Sequence, residues 1–130
     1  MPDQQTDPKN PETAPATLQA AISTFNAADY FACHEFLEAL WLNEQDPRRD
    51  LYKGILQIGI GLLHLRQENI KGAKNLLYRG CELIDPYTPT CFGIALSTLQ
   101  SDARSILCRL EDSHAAHSFL AGDAIQILTV

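Results

Sequence analysis

His34 and Glu38, four residues apart, have the residue types and the spacing best suited to chemistry in this sequence. They belong to the segment YFACHEFLEALW (30–41), whose apolar residues recur at helical spacing. Residues i and i+4 of an α-helix share one face, so this imidazole and carboxylate can act on one ion, proton or ligand. On the helical wheel Tyr30 and Trp41 lie on one side of the pair, and Phe31 and Leu42 lie on the opposite side. The sequence therefore predicts an apolar surround, in which a carboxylate needs a partner.

The segment LYKGILQIGIGLLHLRQ (51–67) predicts the helix that supplies this partner. Gln57 and His64 are seven residues apart and therefore share a face, and Lys53 lies one turn before Gln57. We expect His34, Glu38, Gln57 and His64 to lie close together, with Tyr30 and Trp41 lining the same region. Lys53 or Arg79 is expected to neutralise the carboxylate.

Three glycines interrupt that second helix, at Gly54, Gly59 and Gly61. Each costs about 0.5–1 kcal/mol relative to alanine inside a helix, so the sequence must gain something from them. The simplest explanation is that they allow another helix to approach closely and to bring its polar groups to Gln57 and His64.

Three interpretations of this cluster stay open at this point. It is a hydrogen-bonded network that fixes helix packing, a ligand pocket, or a divalent-metal or acid–base site. In the third case the metal ligands are His34, Glu38 and His64, and Glu38 is a ligand or general base. The spacing H-E-x-x-H of zinc proteases and the E-x-x-H repeats of di-iron bundles are both absent. No cofactor is assigned.

The charge and hydrophobicity of the chain indicate which classes of binding partner are not expected. The chain has 130 residues, a net charge of −6 and ten Lys and Arg without a basic stripe, so no nucleic-acid partner is expected. Its longest apolar stretch, 54–63, is too short to span a bilayer, and no secretory signal is visible, so no membrane partner is expected either. The four cysteines include no C-x-x-C pair, so we expect free thiols and a cytoplasmic protein. Cys33 and Cys81 are expected in the core.

The elements that must position the cluster are helices. Residues 1–16 hold four of the seven prolines and predict a disordered or loosely attached tail. Thr17 is expected to cap a first helix, and Asp29, at the end of the turn NAAD (26–29), a second helix that runs to about Glu44.

Three more helices are predicted after Pro47. A third covers about 48–67, a fourth starts at the Asn69 cap, and a fifth follows a proline-containing break at 85–93. The stretch FLAGDAIQILTV (119–130) predicts either a short helix or an extended tail. The expected fold is therefore all-α: a compact bundle of about five helices over 17–112, two stacked helical hairpins plus a C-terminal helix, followed by a tail at 113–130.

Three ordered blocks of this sequence resemble a known family. FNAADYFACHEFLEALW, LYKGILQIGIGLLHL and NIKGAKNLLYRG, within about residues 22–84, are similar to the small bacterial and archaeal family catalogued as domain of unknown function 309. The resemblance implies a compact all-helical fold and supplies no activity, substrate or cofactor. Its pattern coincides with the following positions: His34, Glu35, Glu38, Trp41, Gly54, Gln57, Gly72 and Ala73.

A looser likeness joins NAADYFACHEFLEALW and ENIKGAKNLLYRGCEL, which both look like halves of tetratricopeptide helix pairs. Two copies are too few for a solenoid, but stacked hairpins can offer a groove to a peptide. The sequence thus favours a non-enzymatic binding or scaffold module that engages a protein partner or itself. The alternative is a small enzyme or metal binder that uses the His/Glu/Gln cluster as its site.

Overall fold

The computed structural model describes residues 14–42, 46–111 and 125–129. Within these ranges it contains five α-helices, which confirms the prediction of an all-α bundle. They are α1 (Ala16–Asn26), α2 (Tyr30–Trp41), α3 (Arg49–Arg66), α4 (Ile70–Ile84) and α5 (Leu96–Leu110). In the part of the chain that is described, none of these helices has the length and apolar character needed to cross a membrane.

The two hairpins, α1–α2 and α3–α4, are closed by turns of the same design. Ala28 and Glu68 each adopt the left-handed conformation, with φ of 61° and 63°. The next residue caps the following helix: Asp29 accepts a hydrogen bond from the Ala32 N–H, and Asn69 accepts one from the Gly72 N–H. Both predicted caps are confirmed.

The start of α1 differs from its prediction. Thr17 lies inside the helix, and Pro15 occupies the N-cap position without a side-chain hydrogen bond. The helix starts early because the Pro15 carbonyl accepts from the Gln19 N–H at 3.0 Å and Ala16 is a good helix former. α2 ends at Trp41, before the predicted end near Glu44, and residues 43–45 are outside the described part.

The break between α4 and α5 holds structure that the sequence reading missed. A 3₁₀ turn (Asp85–Tyr87) leads into two short antiparallel strands, β1 (Thr90–Cys91) and β2 (Ile94–Ala95). Phe92 and Gly93 connect them with φ of 54° and 72°, the two positive values of a tight hairpin turn.

The described end of the chain, residues 125–129, is extended and packed on the bundle. The Asn26 amide donates to the Ile127 carbonyl and accepts from the Ile127 N–H, and the Ala95 N–H donates to Leu128. Ile125 and Ile127 are buried. Of the two alternatives for 119–130, this part is therefore the extended one, while 112–124 and residue 130 lie outside the described residues.

The closest helix contact joins α3 to α4 through glycines. A Cβ on Gly80 would lie 2.5 Å from the Ile58 Cγ1 and 2.8 Å from the Gly54 carbonyl oxygen, and one on Gly61 would lie 3.0 Å from Leu77. Gly59 instead faces α1 and α2, at ordinary distances of 3.7 Å from the Phe25 ring. α4 is therefore the helix that approaches α3 closely at Gly54 and Gly61. It contributes backbone atoms and apolar side chains to this contact, not the polar groups that were expected.

We predict opposite effects of alanine at two of these glycines. Gly80→Ala should lower the free energy of unfolding by about 1–3 kcal/mol, because the new methyl group meets the α3 backbone. Gly59→Ala should raise it by about 0.4–1 kcal/mol, because the methyl group fits and alanine favours the helix. Urea denaturation followed by circular dichroism measures both. Equal destabilisation by the two variants would contradict this account of the α3–α4 contact.

The cysteines provide a second prediction. Cys33, Cys81 and Cys91 are buried, which confirms the core assignment of the first two, and Cys108 is exposed. Burial raises the pKa of Cys33 to about 12 and that of Cys81 to about 11. Ellman's reagent at pH 8 should therefore modify one thiol quickly in the folded protein and all four in denaturant.

The same pKa shifts fix the sign of a pH effect. The unfolded thiols ionise near pH 9, while the buried ones stay protonated until about pH 11–12. The stability that these thiols contribute is complete below pH 9 and is lost as the pH rises from there towards 12. A Cys33→Ser variant with unchanged high-pH stability loss would contradict the role of this thiol.

Candidate functional site

Helices α2 and α3 run antiparallel, and a cation–aromatic contact marks each end of their interface. At one end the Arg66 guanidinium lies 5.0 Å from the centre of the Tyr30 ring and donates to the Ala28 carbonyl at 2.7 Å. The Tyr30 ring also packs edge-on against Phe25. Burial raises the pKa of the Tyr30 hydroxyl, and Arg66 partly opposes this rise. Tyr30 is thus a core residue whose ring packs against the Arg66 guanidinium.

Trp41 marks the other end. The Arg49 guanidinium and the Lys53 ammonium lie 5.1 and 5.2 Å from the centre of its ring, and the Arg49 Nε donates to the Trp41 carbonyl at 2.9 Å. Lys53 was expected at the Glu38 carboxylate, as was Arg79. Among the described residues neither forms an ion pair with Glu38, and the Lys53 ammonium lies over the Trp41 ring instead.

The His34–Glu38 pair forms, but it is not buried. The His34 Nε2 lies 3.7 Å from a Glu38 carboxylate oxygen, and the two side chains are 33% and 48% exposed. The expected apolar surround is therefore wrong. Cys33 and Leu37 define the arc of α2 that points into the core, and the pair lies at the solvent edge of that arc.

Gln57 and His64 do not join the pair. The His64 Nδ1 lies 3.4 Å from the Asn69 amide nitrogen, next to the cap of α4. Across the described ranges, no hydrogen bond or ion pair links either residue to His34 or Glu38. No group of three or more His, Cys, Asp or Glu side chains in those ranges comes close enough to hold a metal ion. The three-ligand arrangement of His34, Glu38 and His64 is thus not assembled.

Two buried polar atoms of α2 and α3 have no hydrogen-bond partner among the described residues. They are the Trp41 indole nitrogen and the Gln57 side-chain carbonyl oxygen, and Gln57 lies one helical turn from Lys53. A buried polar group without a partner costs about 1–3 kcal/mol, so such atoms are uncommon in folded proteins. The Trp41 N–H is a hydrogen-bond donor and the Gln57 oxygen is an acceptor, so each can still form a hydrogen bond with a ligand.

Two large apolar side chains of α2 are exposed. Phe31 and Leu42 are 68% and 60% exposed, and on the helical wheel they share the outer arc of α2 with Glu38. The outer strip of α3 is half-buried. We call this surface the α2–α3 face; its residues are Phe31, His34, Glu38, Trp41, Leu42, Lys53, Leu56, Gln57 and Ile60.

The sequence reading missed Phe31, Leu42 and Arg49 as site residues. The signal was present for the first two, since large apolar residues on the arc of Glu38 lie outside the core-facing stripe. Arg49 had no signal, because its contact with Trp41 depends on how α3 follows the connection from α2.

Comparison with known proteins agrees with the resemblance seen in the sequence. Residues 18–76 match the sequence model of the family described as Domain of unknown function (DUF309). A relative from Bacillus subtilis (strain 168), named Uncharacterized protein YpuF, is 37% identical over 57 residues. These are 43% of this chain and 33% of the relative, so the chain matches about a third of that relative's length. Neither description names an activity.

We predict that loss of the His34–Glu38 pair hardly affects stability. Glu38→Gln should change the free energy of unfolding by less than about 0.5 kcal/mol, because exposed i, i+4 pairs are weak. Leu37→Ala, one residue away and fully buried, should lower it by about 2–5 kcal/mol. Urea denaturation of both variants measures this. If Glu38→Gln were as damaging as Leu37→Ala, the pair would belong to the core after all.

Proposed function

We propose that this protein is a small non-enzymatic binding module that engages a partner protein through the α2–α3 face. The observation that carries the proposal is the combination of exposed apolar side chains with a buried donor and a buried acceptor that lack hydrogen bonds to the described part of the chain. The first favours contact with an apolar surface, and the second favours a partner with complementary polar groups.

The apolar part of the face supports affinity. Burial of a large side chain such as Phe31 or Leu42 contributes about 1.5–3 kcal/mol each. Trp41, which precedes Leu42 in the chain, packs its ring against the two cations of α3. Tryptophan and arginine are the residue types that most often dominate binding energy in protein interfaces.

The polar part supports a polypeptide as the partner. Its backbone offers both a carbonyl for the Trp41 indole N–H and an N–H for the Gln57 oxygen. Small rotations of these two half-buried side chains would bring the atoms to the surface. The unpaired donor and acceptor would then recover, in the complex, the free energy that they cost in the free protein.

The alternative of a small enzyme or metal binder has weaker support. His34 and Glu38 share no third donor within the described residues, and their exposure gives the carboxylate no apolar surround. A cytoplasmic setting is part of our proposal. Four unpaired cysteines support it, because thiols stay reduced in that compartment.

The test starts with capture of the partner on the immobilised full chain. The partner is then purified and titrated against variants by calorimetry. Phe31→Glu should weaken binding at least tenfold, because it places a charge in an apolar contact. Trp41 is the only tryptophan, so its fluorescence should change on binding, and Trp41→Phe should weaken the complex several-fold through loss of the indole N–H.

Leu128→Glu is the matched control, since Leu128 is 51% exposed and belongs to the extended segment 125–129. It should bind within twofold of the wild type. A partner bound equally well by Phe31→Glu would contradict the proposal. If the captured protein is the chain itself, a dimer that Phe31→Glu dissociates would identify the partner as a second copy.

A further inference from the structure

Helices α4 and α5 also run antiparallel, and they are tied together at both ends. The Gln100 amide donates to the Cys81 carbonyl at 3.0 Å and to an Asp85 carboxylate oxygen at 2.9 Å. At the other end the Lys74 ammonium lies 3.4 Å from the Glu111 carboxylate. A groove lies at this second end, where residues of both helices line it, including Lys74 and Glu111.

This α4–α5 groove consists of two adjoining cavities of about 440 and 430 Å³. They share Lys74 and Asn75, so the groove follows α4 from its first turn to Tyr78. That stretch is about 12 Å long at the helical rise of 1.5 Å per residue. The residues used below are Lys71, Lys74, Tyr78, Arg104, Leu107 and Cys108. A shallow, elongated site of this kind suits a peptide better than a compact small molecule.

The groove is locally cationic although the whole chain carries a net charge of −6. Among the described residues Lys71, Lys74 and Arg104 line it together with one carboxylate, that of Glu111, and the Glu82 carboxylate lies at the edge, where it contacts Tyr78. Arg104 lies 4.0 Å from Asp85, and the side chains of this pair are 58% and 61% exposed, while those of the Lys74–Glu111 pair are 37% and 62% exposed. Such pairs are weak and exchange readily, so all three cations are available to a ligand. Screening within about 8 Å lets these cations act on a bound segment despite the negative charge elsewhere.

The floor of the groove is apolar. Leu107 is half-buried, and the Tyr78 side chain is 58% exposed on the facing helix. An apolar side chain placed between them would bury surface that the free protein leaves in water. The thiol of Cys108 lies beside this position and is exposed.

We propose that the α4–α5 groove binds an acidic peptide segment of a partner protein. The segment inserts one large apolar side chain between Tyr78 and Leu107 and places carboxylates on Lys71, Lys74 and Arg104. This site shares no residue with the α2–α3 face and goes beyond the function proposed above.

The probe is a displayed library of 12-residue peptides with four Glu residues around one central Leu, Phe or Trp. An otherwise identical library with Lys in place of Glu is the control. Selection on the full chain should enrich the acidic library alone. A selected peptide at saturation should slow alkylation of Cys108 at least tenfold, since the other three cysteines are buried and Cys108 reports on the groove.

Charge reversal locates the binding site. Lys74→Glu and Arg104→Glu should each weaken the selected peptide about fivefold to tenfold, with less effect in high salt. Arg79→Glu is the matched control because Arg79 is an exposed cation of α4 outside the groove lining. It should bind within twofold of the wild type, as should Phe31→Glu, whose change lies on the α2–α3 face.

Several results would overturn the proposal. Equal enrichment of the basic library would remove the charge argument, and a bound peptide that leaves Cys108 reactive would place the site elsewhere. Unchanged affinity in Lys74→Glu and Arg104→Glu would do the same. A dimer in which Cys108 is protected without peptide would assign the groove to a second copy. Equal protection by citrate, a small polyanion, would assign it to small anions.

Discussion

The close approach of α3 and α4 is the constraint on which the rest of the structure depends. Gly54 and Gly80 lack the Cβ atoms that would otherwise collide with Ile84 and Ile58, so the two backbones meet directly. Ile58, Leu77 and Ile84 are fully buried at this contact. Because close-packed interiors tolerate little added volume, no other residue type fits without movement of a helix.

This contact also determines which surfaces stay open. α3 has α4 on one side and α2 on the other, so only its outer strip, which includes Leu56, Gln57 and Ile60, faces solvent. α4 is held to α3 along its glycine-bearing edge, and its other edge meets α5. The α2–α3 face and the α4–α5 groove therefore lie on the two sides of one rigid contact. Rigid helices preorganise a binding surface, which lowers the entropy lost on association.

Much of the fold could be predicted because it depends on local chemistry. Asp29 and Asn69 cap their helices through side chains that any sequence reading can identify, and the apolar period of α5 is regular. The β-hairpin was missed because its strands have two residues each. Its turn also places Phe92, rather than the usual asparagine or glycine, in the left-handed conformation. The stacking of Phe92 on Tyr52 and under Arg48, which holds it there, is a tertiary effect.

The candidate site was less predictable for a different reason. A helical wheel shows which residues share an arc, but it does not show how wide an arc the neighbouring helices cover. His34 and Glu38 were therefore placed inside a surface whose edge they occupy. The relative direction of α2 and α3 likewise determines which α2 residues Lys53 can reach, and its ammonium contacts the Trp41 ring instead of Glu38. Neither the coverage nor the direction is encoded within one helix.

The energetic balance indicates where a function is to be sought. The exposed His34–Glu38 pair contributes little, so its presence asks for no explanation beyond local charge pairing. The Trp41 N–H and the Gln57 oxygen, which have no partner within the described ranges, together cost about 2–6 kcal/mol, against a total stability of about 5–15 kcal/mol for a typical domain. A cost of that size persists more easily where a bound partner removes it. Trp41 and Gln57, which have no catalytic residue type, thus support the proposed binding more strongly than the His34–Glu38 pair supports catalysis.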